Sequence, residues 1–322
     1  MLPAAASRGS MSDSTLVAAQ TGENGAFDLS SWMESERRLA DRALERAMRR
    51  WRGDLPGHVA EAMEHGLLGE GKRLRAILCV TAFRACGGRD DAVHDLAASL
   101  ELIHAYSLMH DDLPCMDDAE LRRGRPTTHR VHGERAAVTA GAAMIPLAAL
   151  HAIEACRALG VDEGRTRRVA SELCAAAGAG GMVGGQALDL QAEGEALGAG
   201  ELDVLHRLKT GALLTAALRM GALAAGADPT LLAALDAYGR AVGLAFQIAD
   251  DVLDATASAS ELGKNPSDSA LGKATYVSVH GLEEARGRAV TEAARARAAL
   301  REAELDAPAL DALAEYVVSR GR

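Results

Sequence analysis

Two stretches decide how this chain folds: YSLMHDDLPCMDD at residues 106–118 and FQIADDVLD at residues 246–254. Each closes an apolar, helix-like run with a group of carboxylates, Asp111, Asp112, Asp117 and Asp118 in the first and Asp250, Asp251 and Asp254 in the second. Carboxylates crowded together raise one another's pKa and take up protons unless a cation neutralises them. An all-oxygen ligand set favours a hard ion, and magnesium is usually held by one or two carboxylates together with substrate phosphates. A single such cluster reads more readily as a solvated helix end. Two of them, each after a long apolar helix, read as opposite walls of a cavity that holds magnesium and a diphosphate.

Helical geometry supports one cluster directly. At about 100° per residue, Asp250 and Asp254 share a face with Asp251 beside them. Asp111 and Asp118 are seven residues apart, but Pro114 lies between them and cannot continue an undisturbed helix. The expectation is a distortion after His110 that swings Asp117 back toward Asp111.

Working outward, 322 residues with 48% hydrophobic content can bury one large core, and an aromatic share of only 3% favours close helix packing. The net charge of −10 argues against nucleic acid as a partner. Cys79, Cys86, Cys115, Cys156 and Cys174 have no metal-type spacing and read as thiols in a reducing, cytoplasmic compartment. Residues 1–30 contain no apolar core of secretory length and read as a disordered segment, with Met11 an alternative start. The uncharged run from Ala136 to Ile153 is long enough to raise a membrane span, but Gly141 and Pro146 inside it favour a buried core helix.

Helices are expected at 31–51, 55–68, 73–87, 90–112, 134–159, 162–178, 182–194, 201–226, 229–256, 268–281, 283–302 and 306–319, the first opened by a Ser31/Glu34 capping box. Nothing alternates with a period of two, so no strands are expected. The fold class is all-α: one domain over 31–322, an array of long antiparallel helices around a central cavity.

Basic groups flank the acidic ones. Gly71-Lys72-Arg73-Leu74-Arg75 opens a helix, where backbone donors favour anions, and Arg122-Arg123 sits in a turn just after the first cluster. Only four of the 35 basic residues are lysines, Lys72, Lys209, Lys264 and Lys273. In so arginine-rich a chain, a retained lysine points to a need for a compact ammonium.

Taken together, GKRLR (71–75), YSLMHDDLPCMDD (106–118), LRRGRPT (121–127), GGQALDL (184–190), KTG (209–211), FQIADDVLD (246–254), LGK (262–264) and GKATY (272–276) closely resemble the trans-isoprenyl diphosphate synthases, over about residues 55–319. The resemblance implies a magnesium-dependent, head-to-tail prenyl transfer from an allylic diphosphate to isopentenyl diphosphate in a homodimer. It further implies that Asp111 and Asp117 ligate two of three Mg2+ ions with Asp112 and Asp118 in support, and that Asp250 holds the third with Asp254 behind it. Lys72, Arg75, His104 and Arg123 would bind isopentenyl diphosphate, while Arg122, Lys209 and Lys264 would clamp the allylic diphosphate. Thr210 and Gln247 would line the path of the developing cation.

Tyr106 lies five residues before Asp111, about 7.5 Å deeper along the helix, where its ring could floor the pocket for a growing chain. In the family, an aromatic there together with the longer DDLPCMDD cluster implies a bacterial-type farnesyl (C15) synthase. A C20 or C10 product, a terpene cyclase and a non-catalytic partner subunit are the alternatives; retention of Lys72, Arg75 and Arg123 opposes the cyclase. Three positions depart from the family pattern: Glu70 for Gly, Ala76 for Pro, and Ala142 for an Asp expected to face the pocket.

Overall fold

Apolar residues at helical spacing, few aromatics and abundant alanine produce a bundle of long helices whose axes can approach closely. The computed structural model describes residues 27–192, 197–256 and 274–319. In chain order the helices are α1 (Leu29–Trp51), α2 (Gly57–Leu67), α3 (Leu74–Ala85), α4 (Val93–Asp111), α5 (Thr128–His132), α6 (Glu134–Ala158), α7 (Glu163–Ala177), α8 (Met182–Gln191), α9 (Ala199–His206), α10 (Ala212–Ala225), α11 (Pro229–Thr256), α12 (Tyr276–His280), α13 (Leu282–Glu302) and α14 (Pro308–Ser319).

The core lies where α4, α10 and α11 are enclosed. Helix α4 packs along α6 and against α3, α10 along α3, α7 and α11, and α11 along α13. Helix α4 is buried almost all round, with Leu96, Leu100, Leu102 and Ile103 at 2% exposure or less. That burial explains why it carries no clear amphipathic stripe. Helices α6 and α11 are long and apolar enough to cross a membrane, yet each packs along a neighbour in the bundle. The core-helix reading of Ala136–Ile153 therefore holds for one face of α6; Val138, Ile145 and Leu150 remain exposed on the other.

Helix α1 begins at Leu29, capped by Asp28, whose carboxylate accepts the Ser31 N–H at 3.1 Å. Ser31 is thus inside the helix rather than at its cap, because Asp28 offers a stronger acceptor one turn earlier. The rest of the expected disordered segment lies outside the described residues.

Two other local expectations are corrected. Leu121–Arg122 and Arg125–Pro126 form a small antiparallel hairpin, turning through Arg123 and Gly124 with φ of 54° and 73°. Both loop residues at positive φ give the tight turn whose twist suits a hairpin. Strands of two residues are too short to show alternation. The expected helix 201–226 is interrupted by a π-helical segment at Arg207–Gly211. Of the expected helix 268–281, positions 268–273 fall outside the described residues, and the described helix begins at Tyr276.

The C-terminal helices are tied to the core by Tyr238 of α11, which is fully buried and donates its hydroxyl to the Leu310 carbonyl at 2.7 Å. Replacing it by Phe removes that bond while the Leu310 carbonyl keeps its place in the helix, so Tyr238→Phe is expected to lower unfolding free energy by about 0.5–1.5 kcal/mol. Urea denaturation measures this, and an unchanged midpoint would contradict it.

Candidate active site

The distorted end of α4 builds the first acidic cluster. The helix stops at Asp111, and the chain then turns so that the Asp117 N–H donates to the Asp111 carbonyl at 2.9 Å while the Asp118 N–H reaches the Leu113 carbonyl. Pro114 prevents further helix, and the loop folds back as the sequence predicts. Asp111 and Asp117 are thereby brought together. Asp112 is buried at 3% exposure and receives Arg122 Nε at 2.9 Å and Nη2 at 2.5 Å. Asp118 is exposed, at φ 46°, with Arg130 3.9 Å away.

Burial is the main cause that pushes the Asp111 carboxyl up to about 6; the Lys209 ammonium opposes the shift and the Asp117 carboxylate adds to it. A half-buried carboxylate with a second carboxylate beside it fits a divalent cation, which would remove both penalties. Among the described residues no group of three or more His, Cys, Asp or Glu closes around a single point.

The second cluster ends α11. Asp250 lines a cavity of about 820 Å³ with Lys72, Arg75, His104, Arg123, Thr210 and Gln247. Asp251 points the other way: it is 5% exposed and its Oδ2 accepts the Tyr276 N–H at 2.7 Å, which places it in the support behind the cavity rather than on its wall. Asp254 is one turn beyond Asp250 on the same helix and half-buried.

Asp111 lines an adjoining cavity of about 350 Å³ that shares Arg75, His104 and Thr210 with the larger one. Its other walls include Tyr106, His110, Met182, Gln186, Leu190 and Lys209. The two acidic ends thus face one connected region, as the two-wall reading requires. Tyr106 is 5% exposed and meets His110 edge-on, ring centroids 5.6 Å apart.

The basic wall is built by strained backbone and buried ion pairs. Arg73 stands at φ 50° just before α3, 7% exposed, and bonds to Asp41 at 2.7 Å and to the Gly69 carbonyl at 2.6 Å. It pins the loop so that its neighbours Lys72 and Arg75 line the larger cavity. Arg75 Nε is buried with no protein partner, and burial, followed by nearby Arg123, lowers its pKa. His104 is held well below its ordinary value by burial first and then by Arg75, Arg123, Arg122 and Arg73. So many cations around one histidine make a positive wall that favours an anion. Arg123 also donates to the Glu70 carbonyl.

Lys209 and Thr210 are delivered by the π-helical segment, a local widening of the helix common at functional sites. Lys209 Nζ lies 2.5 Å from Asp189 Oδ2 of α8. Gly185 makes this possible, since a Cβ there would overlap the Lys209 backbone. Lys264 lies outside the described residues, as does Lys273.

Sequence reasoning gave no role to Asp189, Gln186 or Glu101, though the first two fall within GGQALDL. Glu101 is 3% exposed and accepts the Ala76 N–H at 3.1 Å. That bond gives the Ala76 departure a physical role, because proline has no N–H to donate. Ala142 is exposed on the outer face of α6, so the expectation that it faces the pocket is corrected. Its neighbour Gly141 packs instead against α4, where a Cβ would overlap the His110 ring.

A helical bundle with two acidic helix ends and a basic wall around adjoining cavities fits a diphosphate-handling synthase. Residues 56–313 match the polyprenyl synthetase family, and the chain belongs to it. It is 45% identical over 269 residues to farnesyl diphosphate synthase of Escherichia coli (strain K12), covering 82% of this chain and 90% of that one. It is 38% identical over 301 residues to a chloroplastic geranylgeranyl pyrophosphate synthase of Catharanthus roseus, covering 92% and 83%. Among solved structures, a Helicobacter pylori geranyltransferase complexed with magnesium and isoprenyl diphosphate superposes with a TM-score of 0.76 at 30% identity, covering 92% of this chain and 98% of that chain.

The Asp111 shift makes a signed prediction. Its folded pKa, about 6, lies above the unfolded value, so its ionisation lowers stability, a penalty that is absent below about pH 4 and is fully developed above about pH 6. In metal-free protein, Asp111→Asn should match wild type near pH 4 and melt a few degrees higher at pH 7.5. Equal melting temperatures at pH 7.5 would contradict it.

Proposed function

We propose that the protein condenses isopentenyl diphosphate with dimethylallyl and then geranyl diphosphate, releasing diphosphate and giving farnesyl diphosphate. The observation that carries this reading is the pair of joined cavities, with Asp111 and Asp250 on their walls, a cationic rim, and Tyr106 below Asp111. The E. coli relative's farnesyl product supports the C15 choice.

Lys72, Arg75, His104 and Arg123 bind the diphosphate of isopentenyl diphosphate, Arg75 and Arg123 through guanidinium groups suited to forked bonds with phosphate oxygens. Lys209, Arg122 and Lys264 hold the allylic diphosphate, for which Lys209 exchanges its Asp189 partner and Arg122 shares its charge with Asp112. Asp111 and Asp117 would hold two of three magnesium ions, with Asp112 and Asp118 in support, and Asp250 would hold the third with Asp254 behind it. Asp251 acts from behind through its bond to Tyr276. Bound magnesium supplies positive charge that stabilises the leaving diphosphate.

The allylic carbon–oxygen bond breaks with its electron pair going to the diphosphate, and cationic side chains aimed at that group stabilise the developing charge. The allylic cation lies beside the Thr210 hydroxyl and the Gln247 amide, both on the wall of the larger cavity. The double bond of isopentenyl diphosphate attacks it to form the new carbon–carbon bond, and the proton then lost goes to the departing diphosphate. No protein nucleophile takes part.

We also place the enzyme in the cytoplasm as a homodimer. The five cysteines are unpaired, which suits a reducing compartment. The exposed Val138, Ile145 and Leu150 of α6 form an apolar face suited to a second copy.

The test is incubation of purified protein with magnesium, isopentenyl diphosphate and the C5, C10 or C15 allylic partner, with chromatographic sizing of products. Consumption of the C5 and C10 partners to a C15 end product is expected. A C20 end product would move the chain toward its geranylgeranyl relatives, and no condensation would refute the reading. Tyr106→Ala should lengthen the product beyond C15, whereas an unchanged C15 output would remove Tyr106 as the floor.

A further inference from the structure

His206 closes α9 immediately before the π-helical segment and is buried, its side chain 8% exposed. Its ring stacks on Tyr276, centroids 5.4 Å apart at 20°. Tyr276 is itself clamped: its hydroxyl donates to Asp203, its N–H to Asp251, and the Arg288 guanidinium covers its ring at 5.1 Å while bonding Asp203 at 2.6 Å. The imidazole therefore has a fixed plane, and its two nitrogens face two residues of the second acidic motif, FQIADDVLD. Nδ1 lies 3.3 Å from Gln247 Nε2, and Nε2 lies 3.6 Å from Asp251 Oδ2.

We propose that His206 is a positioning residue for prenyl transfer: it fixes the Gln247 amide with the nitrogen toward the imidazole and the oxygen toward the cavity. The inference rests on the reading above, in which Gln247 borders the developing cation. Electrostatics selects the tautomer. A lone pair on Nε2 would face the Asp251 carboxylate, so the proton belongs there and Nδ1 carries the lone pair. Nδ1 can then only accept, and among the two ends of the Gln247 amide only the nitrogen can donate to it. The carbonyl end, directed away, presents its negative dipole to the cavity that Gln247 lines. A flipped amide would present N–H groups to a carbocation and raise the barrier.

His206→Phe keeps an aromatic ring to stack on Tyr276 and removes the acceptor. It should lower kcat by about tenfold, the scale of one misdirected dipole, while KM for isopentenyl diphosphate stays within about twofold. His206→Asn, which can offer an oxygen where Nδ1 stood, should recover part of kcat. In combination with Gln247→Leu, His206→Phe should add no further loss, because both act through one amide. Long-range 1H–15N spectra of the ligand-free protein should show His206 protonated at Nε2 and bare at Nδ1. An Nδ1–H tautomer, an unchanged kcat in His206→Phe, or additive losses in the double variant would overturn the proposal. Wild-type protein that condenses nothing would instead refute the prenyl-transfer reading, and the tautomer measurement would still decide what His206 does to Gln247.

Discussion

Opposed charge held at fixed distance across a cavity is the constraint from which the rest of the structure follows. Apart from the Asp112–Arg122 pair, carboxylates at the ends of α4 and α11 and cations from the α3 loop and the hairpin cannot be allowed to collapse onto one another, or no room would remain for substrate. The scaffold prevents collapse by giving several of these charges a partner from behind. Arg73 is tied to Asp41 and backbone carbonyls, Asp112 to Arg122, Lys209 to Asp189, and Asp251 to the Tyr276 N–H. What faces the cavity is then a surplus: Asp111 raised by burial on one side, Arg75 and His104 depressed by burial and neighbouring cations on the other.

Such a surplus costs stability, and ligands of opposite charge offset that cost. Preorganised charges of this kind act mainly in the transition state, where the leaving diphosphate gains negative charge, because no reorganisation is then required. The long, largely buried α4 and α11 supply the rigidity. Their apolar length anchors the acidic ends, and close contacts such as that of Gly185 with the π-helical segment set the position of Lys209 and Thr210.

Much of this was legible in the sequence because the deciding features are local. Pro114 between two aspartate pairs foretells the broken end of α4, and helical periodicity with few aromatics foretells the bundle. Less was legible where several segments cooperate. The burial of Asp251 depends on where Tyr276 packs, and a spacing of one residue from Asp250 does not reveal it. The hairpin at Leu121–Pro126 is too short to show a period, and the π-helical turn at Arg207–Gly211 differs from an α-helix by one residue of winding. Ala142 shows the same limit: its helix was identified, but which face meets the pocket is set by the packing of α6 on α4. Glu101 gains meaning only beside Ala76, 25 residues away.

Calorimetric titration of the full-length protein with an uncleavable allylic diphosphate analogue, with and without magnesium, tests the opposed-charge account most directly. The account predicts tight binding only when the metal is present, with metal affinity raised by the analogue to the same degree. Equal affinity for the analogue in magnesium and in chelator would contradict it.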